Sequence, residues 1–227
     1  MISGVLFDLD GTLIDCIRPM ESAFVEVVEK LGLKITEEGR KNVAENLHEI
    51  LLKHSSLSSG ATFLWRLGLF IGLPPHKRFL MMLLAFRKLK EIANNSPPFP
   101  GVMELLMAFS SRGLKMAVVT TRSKKEAFLV LNKYSIAQYF NAVITRDDAQ
   151  RGKPFPDPVI LALKLLGIRS EEAVMVGDMP TDMEAGKSAG TKTIGLLVGI
   201  FQKELIESKP DTLASSITEL PDIINRL

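Results

Sequence analysis

Phe7-Asp8-Leu9-Asp10-Gly11-Thr12-Leu13 is the stretch on which the fold turns. The run before it, Ile2 to Phe7, is short, mostly apolar and rich in strand-forming residues, which predicts a strand buried on both faces. It ends in two carboxylates. Side chains of an extended chain alternate with period two, so Asp8 and Asp10 are expected on one side. Gly11 lets the backbone turn away sharply, and Thr12 adds a hydroxyl beside the acids. Two acids at the end of a buried strand are costly unless a cation or partner neutralises them. The pattern suits a hard, oxygen-liganded metal such as Mg2+, with one acid left to attack or to move protons. An EF-hand does not fit, because Gly11 is fourth rather than sixth in the run that starts at Asp8.

Composition narrows the class. The 227 residues are 46% apolar and 24% charged, as in an ordinary globular chain. A formal net charge of +2 gives no ground for nucleic-acid binding. The single cysteine, Cys16, cannot form an internal disulfide, so a reducing cytoplasm is expected. The opening apolar run is interrupted too early by Asp8 and Asp10 for a signal peptide. Between Ala61 and Phe86, Arg66, Pro74-Pro75 and His76-Lys77-Arg78 break the most apolar stretch, so no membrane span is expected.

Residues 16–96 read as a helical insertion. Helices are expected over Pro19 to Leu31, Glu37 to Lys53, Ala61 to Gly72 and His76 to Ala93, followed by a linker from Asn94 to Gly101. Beyond it, helix and strand alternate. Strands are predicted at Lys115 to Val119, Phe140 to Ile144, Ala173 to Val176 and Thr191 to Leu197, with a closing helix from Ile217 to Leu227. Ser123–Glu126 and Thr181–Glu184 read as capping boxes, and Asp157-Pro158 as an N-cap and first turn. Such alternation implies an α/β fold, a Rossmann-like doubly wound parallel sheet, with ligands beyond the carboxyl ends of its strands. The expected division is a core of residues 1–15 and 97–227 and an inserted all-helical cap of residues 16–96.

Three later segments place polar groups at strand ends. Thr120-Thr121 precedes a capped helix start, where a hydroxyl and backbone N–H groups make either an anion site or a plain strand-to-helix turn. Lys153 stands in the proline-stiffened loop Gly152-Lys153-Pro154-Phe155-Pro156, which restricts where its charge can go. It is not a P-loop, because Pro154 follows the lysine. Gly177-Asp178-Met179-Pro180-Thr181-Asp182 ends the fourth strand; Asp178 reads as a metal ligand and Asp182 as a helix-start acid or a second supporting carboxylate.

Taken together and in this order, these motifs resemble the haloacid dehalogenase superfamily, and more narrowly its phosphoglycolate phosphatase-like branch with a helical cap. The resemblance implies a Mg2+-dependent phosphatase acting on a small phosphorylated metabolite. Asp8 would be the nucleophile that forms an aspartyl-phosphate, and Asp10 the acid and base. Asp8, the Asp10 carbonyl and Asp178 would hold Mg2+, with Asp182, Gly11 and Thr12 in support. Thr120, the Thr121 N–H and Lys153 would hold the phosphoryl oxygens. Thr121 departs from the Asn common in that branch, and Arg122 follows it. Arg18 and Arg66 are weaker choices for reading the leaving group. A phosphosugar mutase of the same superfamily is the alternative, and a silent scaffold a more distant one. A monomer or homodimer is expected, with neither nucleic acid nor membrane as partner.

Overall fold

A computed structural model describes residues 2–16, 19, 26–27, 29–31, 65, 68–69, 72–199 and 201–227. The chain divides into two compact units, Met1–Asp15 with Ser96–Leu227, and Cys16–Asn95.

The first unit is built on β1 (Gly4–Phe7), β2 (Lys115–Val119), β3 (Ala142–Ile144), β4 (Ala173–Gly177), β5 (Lys192–Leu196) and β6 (Thr212–Ala214). They form one sheet in the order β3-β2-β1-β4-β5-β6, every pair parallel. The chain starts at β1, builds outward through β2 and β3, then returns to the other side of β1 with β4. That reversal opens a crevice at the carboxyl ends of β1 and β4. Phe7 pairs with Val176 in register, so the loops that leave the two strands start at the same level of the crevice.

Alternation fills both faces. Val5, Phe7, Met116, Val118, Val174 and Val176 belong to one apolar cluster; Leu6, Ala117, Val119, Ala173 and Met175 belong to the other. A strand buried on both faces must be apolar at every position, and β1 and β4 are fully buried throughout. Six helices of this unit are described. The first cluster is covered by the helices Val102–Ser111, Lys124–Lys133 and Leu220–Arg226, and the second by Asp157–Leu166 and Pro180–Ser188. Gln202–Glu207 lies between β5 and β6.

Several expected boundaries move. β1 begins at Gly4 rather than Ile2, although Ser3 already bonds Glu172 and Lys115 along the sheet. β3 starts at Ala142, because Ala137–Tyr139 form a 3-10 turn just before it. The helix expected after Asp157 as N-cap takes Asp157 into its first turn, since the carboxylate is engaged by Arg151 at 3.0 and 3.1 Å instead of capping. The box expected at Thr181–Glu184 is absent: Pro180 opens the helix, and Asp182 at its third position accepts from the Met179 N–H at 3.1 Å. The Ser123–Glu126 box is present. Gln202–Glu207 and β6 were not foreseen, and the closing helix begins as a 3-10 turn over Ile217–Glu219.

In the second unit the helix Pro75–Asn95 takes in Asn94 and Asn95, which the sequence had suggested as linker. Lys77 Nζ bonds the Leu31 carbonyl at 2.9 Å, and Arg78 lies over Trp65 while donating to the Leu73 carbonyl at 2.6 Å. The helix expected over Glu37 to Lys53, most of the stretch Ala61 to Gly72, and both Arg18 and Arg66 lie outside the described residues. No helix among the described residues is long and apolar enough to cross a membrane.

Candidate active site

The backbone leaves β1 in a tight loop. Leu9 accepts from the N–H groups of Leu13 and Ile14 at 3.0 and 2.8 Å, and Gly11 donates to Ile14 at 2.9 Å. Gly11 sits at φ +80°, a left-handed conformation open to glycine but costly for other residues. Space makes a second demand there: a Cβ on Gly11 would overlap Asp178 Oδ2 and come within 2.7 Å of its Cγ. Gly199, beyond β5, presses on the same carboxylate, where a Cβ would fall 2.6 Å from Oδ2. The backbone therefore closes in on Asp178 from two directions.

Asp8 directly follows β1 and prolongs the sheet by donating its N–H to Val176 at 2.9 Å. Its carboxylate is buried with those of Asp178 and Asp182, and one oxygen from each lies within 4.8 Å of the others. The Lys153 ammonium enters this cluster from the proline-flanked loop. It reaches Asp8 Oδ1 at 2.5 Å, Asp182 Oδ1 at 2.6 Å and the Val119 carbonyl at 3.0 Å. The Lys153 side chain is only 4% exposed, so these contacts replace water rather than supplement it. Thr12 is fully buried and donates to Asp178 Oδ1 at 3.4 Å.

The charge balance is uneven, with three buried carboxylates facing one ammonium. Burial pushes the Asp8 carboxyl up to about 7; Lys153 pulls it down, while Asp182 and Asp10 add to the rise. Burial likewise holds Asp178 well above the usual carboxylate range, with Asp8 and Asp182 reinforcing it. For Lys153, burial opposes the charged form, but Asp182 and Asp8 outweigh it and raise its affinity for the proton. A divalent cation would supply the missing positive charge, and an all-carboxylate donor set suits a hard one. The residues fit such an ion.

Asp10 lies apart from the cluster's ion pairs. Its side chain is 32% exposed, and both its oxygens are taken by Arg122: Nε donates to Oδ2 at 2.7 Å, and Nη2 donates to Oδ1. Asp10 thus has a partner of its own, Arg122, while still acting on Asp8, whose carboxyl its charge helps to raise. Arg122 is the residue that sequence reasoning missed. The only signal was its place directly after the threonine pair.

Thr120 directly follows β2 and is buried, its Oγ1 accepting from the Arg122 N–H at 3.2 Å, which leaves the hydroxyl proton to donate elsewhere. Thr121 is exposed. The helix start behind them has fewer N–H groups to offer than expected. The Lys124 N–H goes to Asp147 Oδ2 at 2.8 Å, and that of Glu126 to Ser123 Oγ at 3.4 Å.

The family model for haloacid dehalogenase-like hydrolases matches residues 5–196. The chain belongs to this family. Among its relatives, the phosphoglycolate phosphatase of Escherichia coli (strain K12) is 33% identical over 230 residues, 96% of this chain and 91% of that one. A candidate pyrophosphatase, PpaX, of Caldanaerobacter subterraneus is 32% identical over 228 residues, 98% of this chain and 94% of that one. The crystal structure of a haloacid dehalogenase family hydrolase from Deinococcus radiodurans, with bound phosphate and sodium, shares the fold. Its TM-score is 0.80 at 20% identity, covering 99% of this chain and 96% of that one. As a haloacid dehalogenase-like hydrolase, the chain carries its acids where the family's sheet ends, beyond β1 and β4.

Proposed function

We propose that this haloacid dehalogenase-like phosphatase hydrolyses a small phosphomonoester through an aspartyl-phosphate on Asp8, with Mg2+ at the carboxylate cluster. The observation that carries this is the buried group of Asp8, Asp178 and Asp182 around the Lys153 ammonium, in the crevice between β1 and β4. Phosphoryl transfer asks for in-line positioning and neutralised charge more than for elaborate covalent chemistry; the Lys153 ammonium supplies part of that charge, and a divalent ion at the cluster would supply the rest. Asp8, the Asp10 backbone carbonyl and Asp178 would hold the ion. When bound, it neutralises carboxylate and phosphoryl charge together.

The protein's own groups perform the steps. An Asp8 carboxylate oxygen attacks phosphorus as the bond from phosphorus to the ester oxygen breaks, and Asp10 gives the departing ester oxygen a proton so that it leaves as the alcohol. Asp10 then takes a proton from water as the water oxygen attacks phosphorus, releasing inorganic phosphate and restoring the Asp8 carboxylate. Lys153 and the Thr120 hydroxyl hold phosphoryl oxygens, with the Thr121 N–H beside them. Lys153 also fixes Asp8 Oδ1, which leaves Oδ2 as the attacking atom. Asp182 anchors Lys153, and its own second oxygen is tied to the Met179 N–H. The relatives' names point to a small anionic substrate of the phosphoglycolate or pyrophosphate type. We also read residues 16–96 as the family's inserted cap.

Phosphate release from para-nitrophenyl phosphate and a panel of small phosphomonoesters tests this, run with Mg2+, with EDTA, and with Asp8→Asn. Turnover that requires the metal and vanishes in Asp8→Asn is expected. Full turnover in EDTA, or in Asp8→Asn, would refute it.

A further inference from the structure

We infer that Arg122 is a specificity residue that reads a carboxylate on the leaving alcohol, by exchanging its fork from Asp10 to the substrate. The inference rests on the role proposed for Asp10 above.

Asp10 can protonate a leaving oxygen only with an oxygen of its own turned towards it. Both Asp10 oxygens are instead held by Arg122, from Nε at 2.7 Å and from Nη2. This two-point geometry is the strong form of guanidinium–carboxylate contact, and it fixes the acid in place. The backbone that carries the guanidinium is anchored, and the side chain is buried. The Arg122 N–H bonds Thr120 Oγ1 at 3.2 Å, its carbonyl accepts from the Arg146 N–H at 3.0 Å, and the side chain is 7% exposed. Asp10, at 32% exposure, is the partner with room to move.

A group that frees Asp10 must therefore offer Arg122 an equal replacement, a planar anion with two acceptor oxygens. Position limits where that anion can sit. Asp10 bonds Arg122 at 2.7 Å and must reach the ester oxygen at about 2.6–3.2 Å. The fork then lies no more than roughly 6 Å from an ester oxygen that Asp10 reaches from its present place, within reach of a carboxylate one carbon removed. A 2-phosphoglycolate-like ester satisfies both demands. An ester with a neutral alcohol satisfies neither, and leaves Asp10 held by Arg122.

The test compares 2-phosphoglycolate with its neutral isostere 2-phosphoglycolamide, with Mg2+, in wild type, Arg122→Gln and Arg122→Lys. Wild type should prefer the carboxylate ester by about tenfold or more in kcat/KM, the scale of one charge-assisted contact. In Arg122→Gln the preference should collapse to about one, chiefly through a higher KM for the carboxylate ester. Arg122→Lys keeps the charge but loses the fork, and should retain only part of the preference. It also serves if the glutamine variant does not fold by circular dichroism. A preference unchanged in a folded variant, or equal losses on both esters, would show that Arg122 only positions Asp10 and would overturn the inference. Phosphate release with an unchanged preference refutes this inference alone. Release from neither ester by wild type that still turns over other esters of the panel refutes this inference, and release from no ester of the panel refutes the phosphatase mechanism with it.

Discussion

Replacing Lys153 by methionine keeps an unbranched side chain only one atom shorter and removes its charge from a site where no other ammonium or guanidinium among the described residues pairs with the clustered carboxylates. The ammonium is 4% exposed and touches Asp8 at 8% and Asp182 at 0% exposure, so solvent cannot take its place. Removing one member of a buried ion pair costs about 3–5 kcal/mol, because a charge is left uncompensated. For a chain of this size that is a fall in melting temperature of roughly 6–20 °C. The loss depends on pH in a definite direction. The folded Asp8 carboxyl is raised from 3.8 to about 7, so its contribution to stability is fully present below the unfolded value and fades as pH rises through about 7. Lys153 is what holds Asp8 down, so without it Asp8 keeps its proton to still higher pH. At pH 5 the variant buries Asp8 as a neutral acid but still leaves Asp182 without its ammonium, so the loss falls only towards the lower end of that range, about 3 kcal/mol. At pH 8 the larger figure applies. The assay is thermal and urea unfolding of metal-free protein at both pH values, followed by far-ultraviolet circular dichroism, since the only tryptophan, Trp65, lies in the other unit. Equal losses at pH 5 and pH 8, or a loss below about 1 kcal/mol at pH 8, would refute the claim that Lys153 is the cluster's compensating charge.

Gly11→Ala should weaken Mg2+ binding by about tenfold or more and destabilise the fold by about 1–2 kcal/mol, because φ is +80° and the new Cβ displaces Asp178. Calorimetric Mg2+ titration checks it, and wild-type affinity in the variant would show that the Asp178 position is not set by this glycine. Mg2+ binding should also release protons, more at pH 6 than at pH 8.5, since the ion needs an ionised Asp8 whose carboxyl sits at about 7. Titrations in buffers of different ionisation enthalpy measure the proton count directly. Apparent affinity should rise across the same range, and an affinity independent of pH would contradict the raised carboxyls.

Much of this was legible in the sequence, because the core strands obey simple constraints. A strand buried on both faces must be apolar throughout, and the buried run Met116 to Val119 stood out for that reason, with the exposed Lys115 marking where the strand enters the sheet. The acids were equally plain, since an aspartate that ends such a strand has few structural roles. Elements that depend on tertiary partners were not legible. Thr212–Ala214 is a strand through its pairing with β5, with Asp211 tied to Thr193 at its start, an edge pairing without a local signature. The cap of the Pro180–Ser188 helix was misplaced for a related reason. Asp182 could be seen as a helix-start acid, but its buried pairing with Lys153 is a contact across the fold. The same limit explains Arg122. Its neighbour in sequence is a threonine, its neighbour in space is Asp10, and 112 residues separate the two. Sequence patterns therefore show which groups a site owns, while the ion pairs that commit each group to one task appear only in the folded chain. In this protein those pairs divide two nearby aspartates: Lys153 holds Asp8 within the cluster, and Arg122 holds Asp10 outside it.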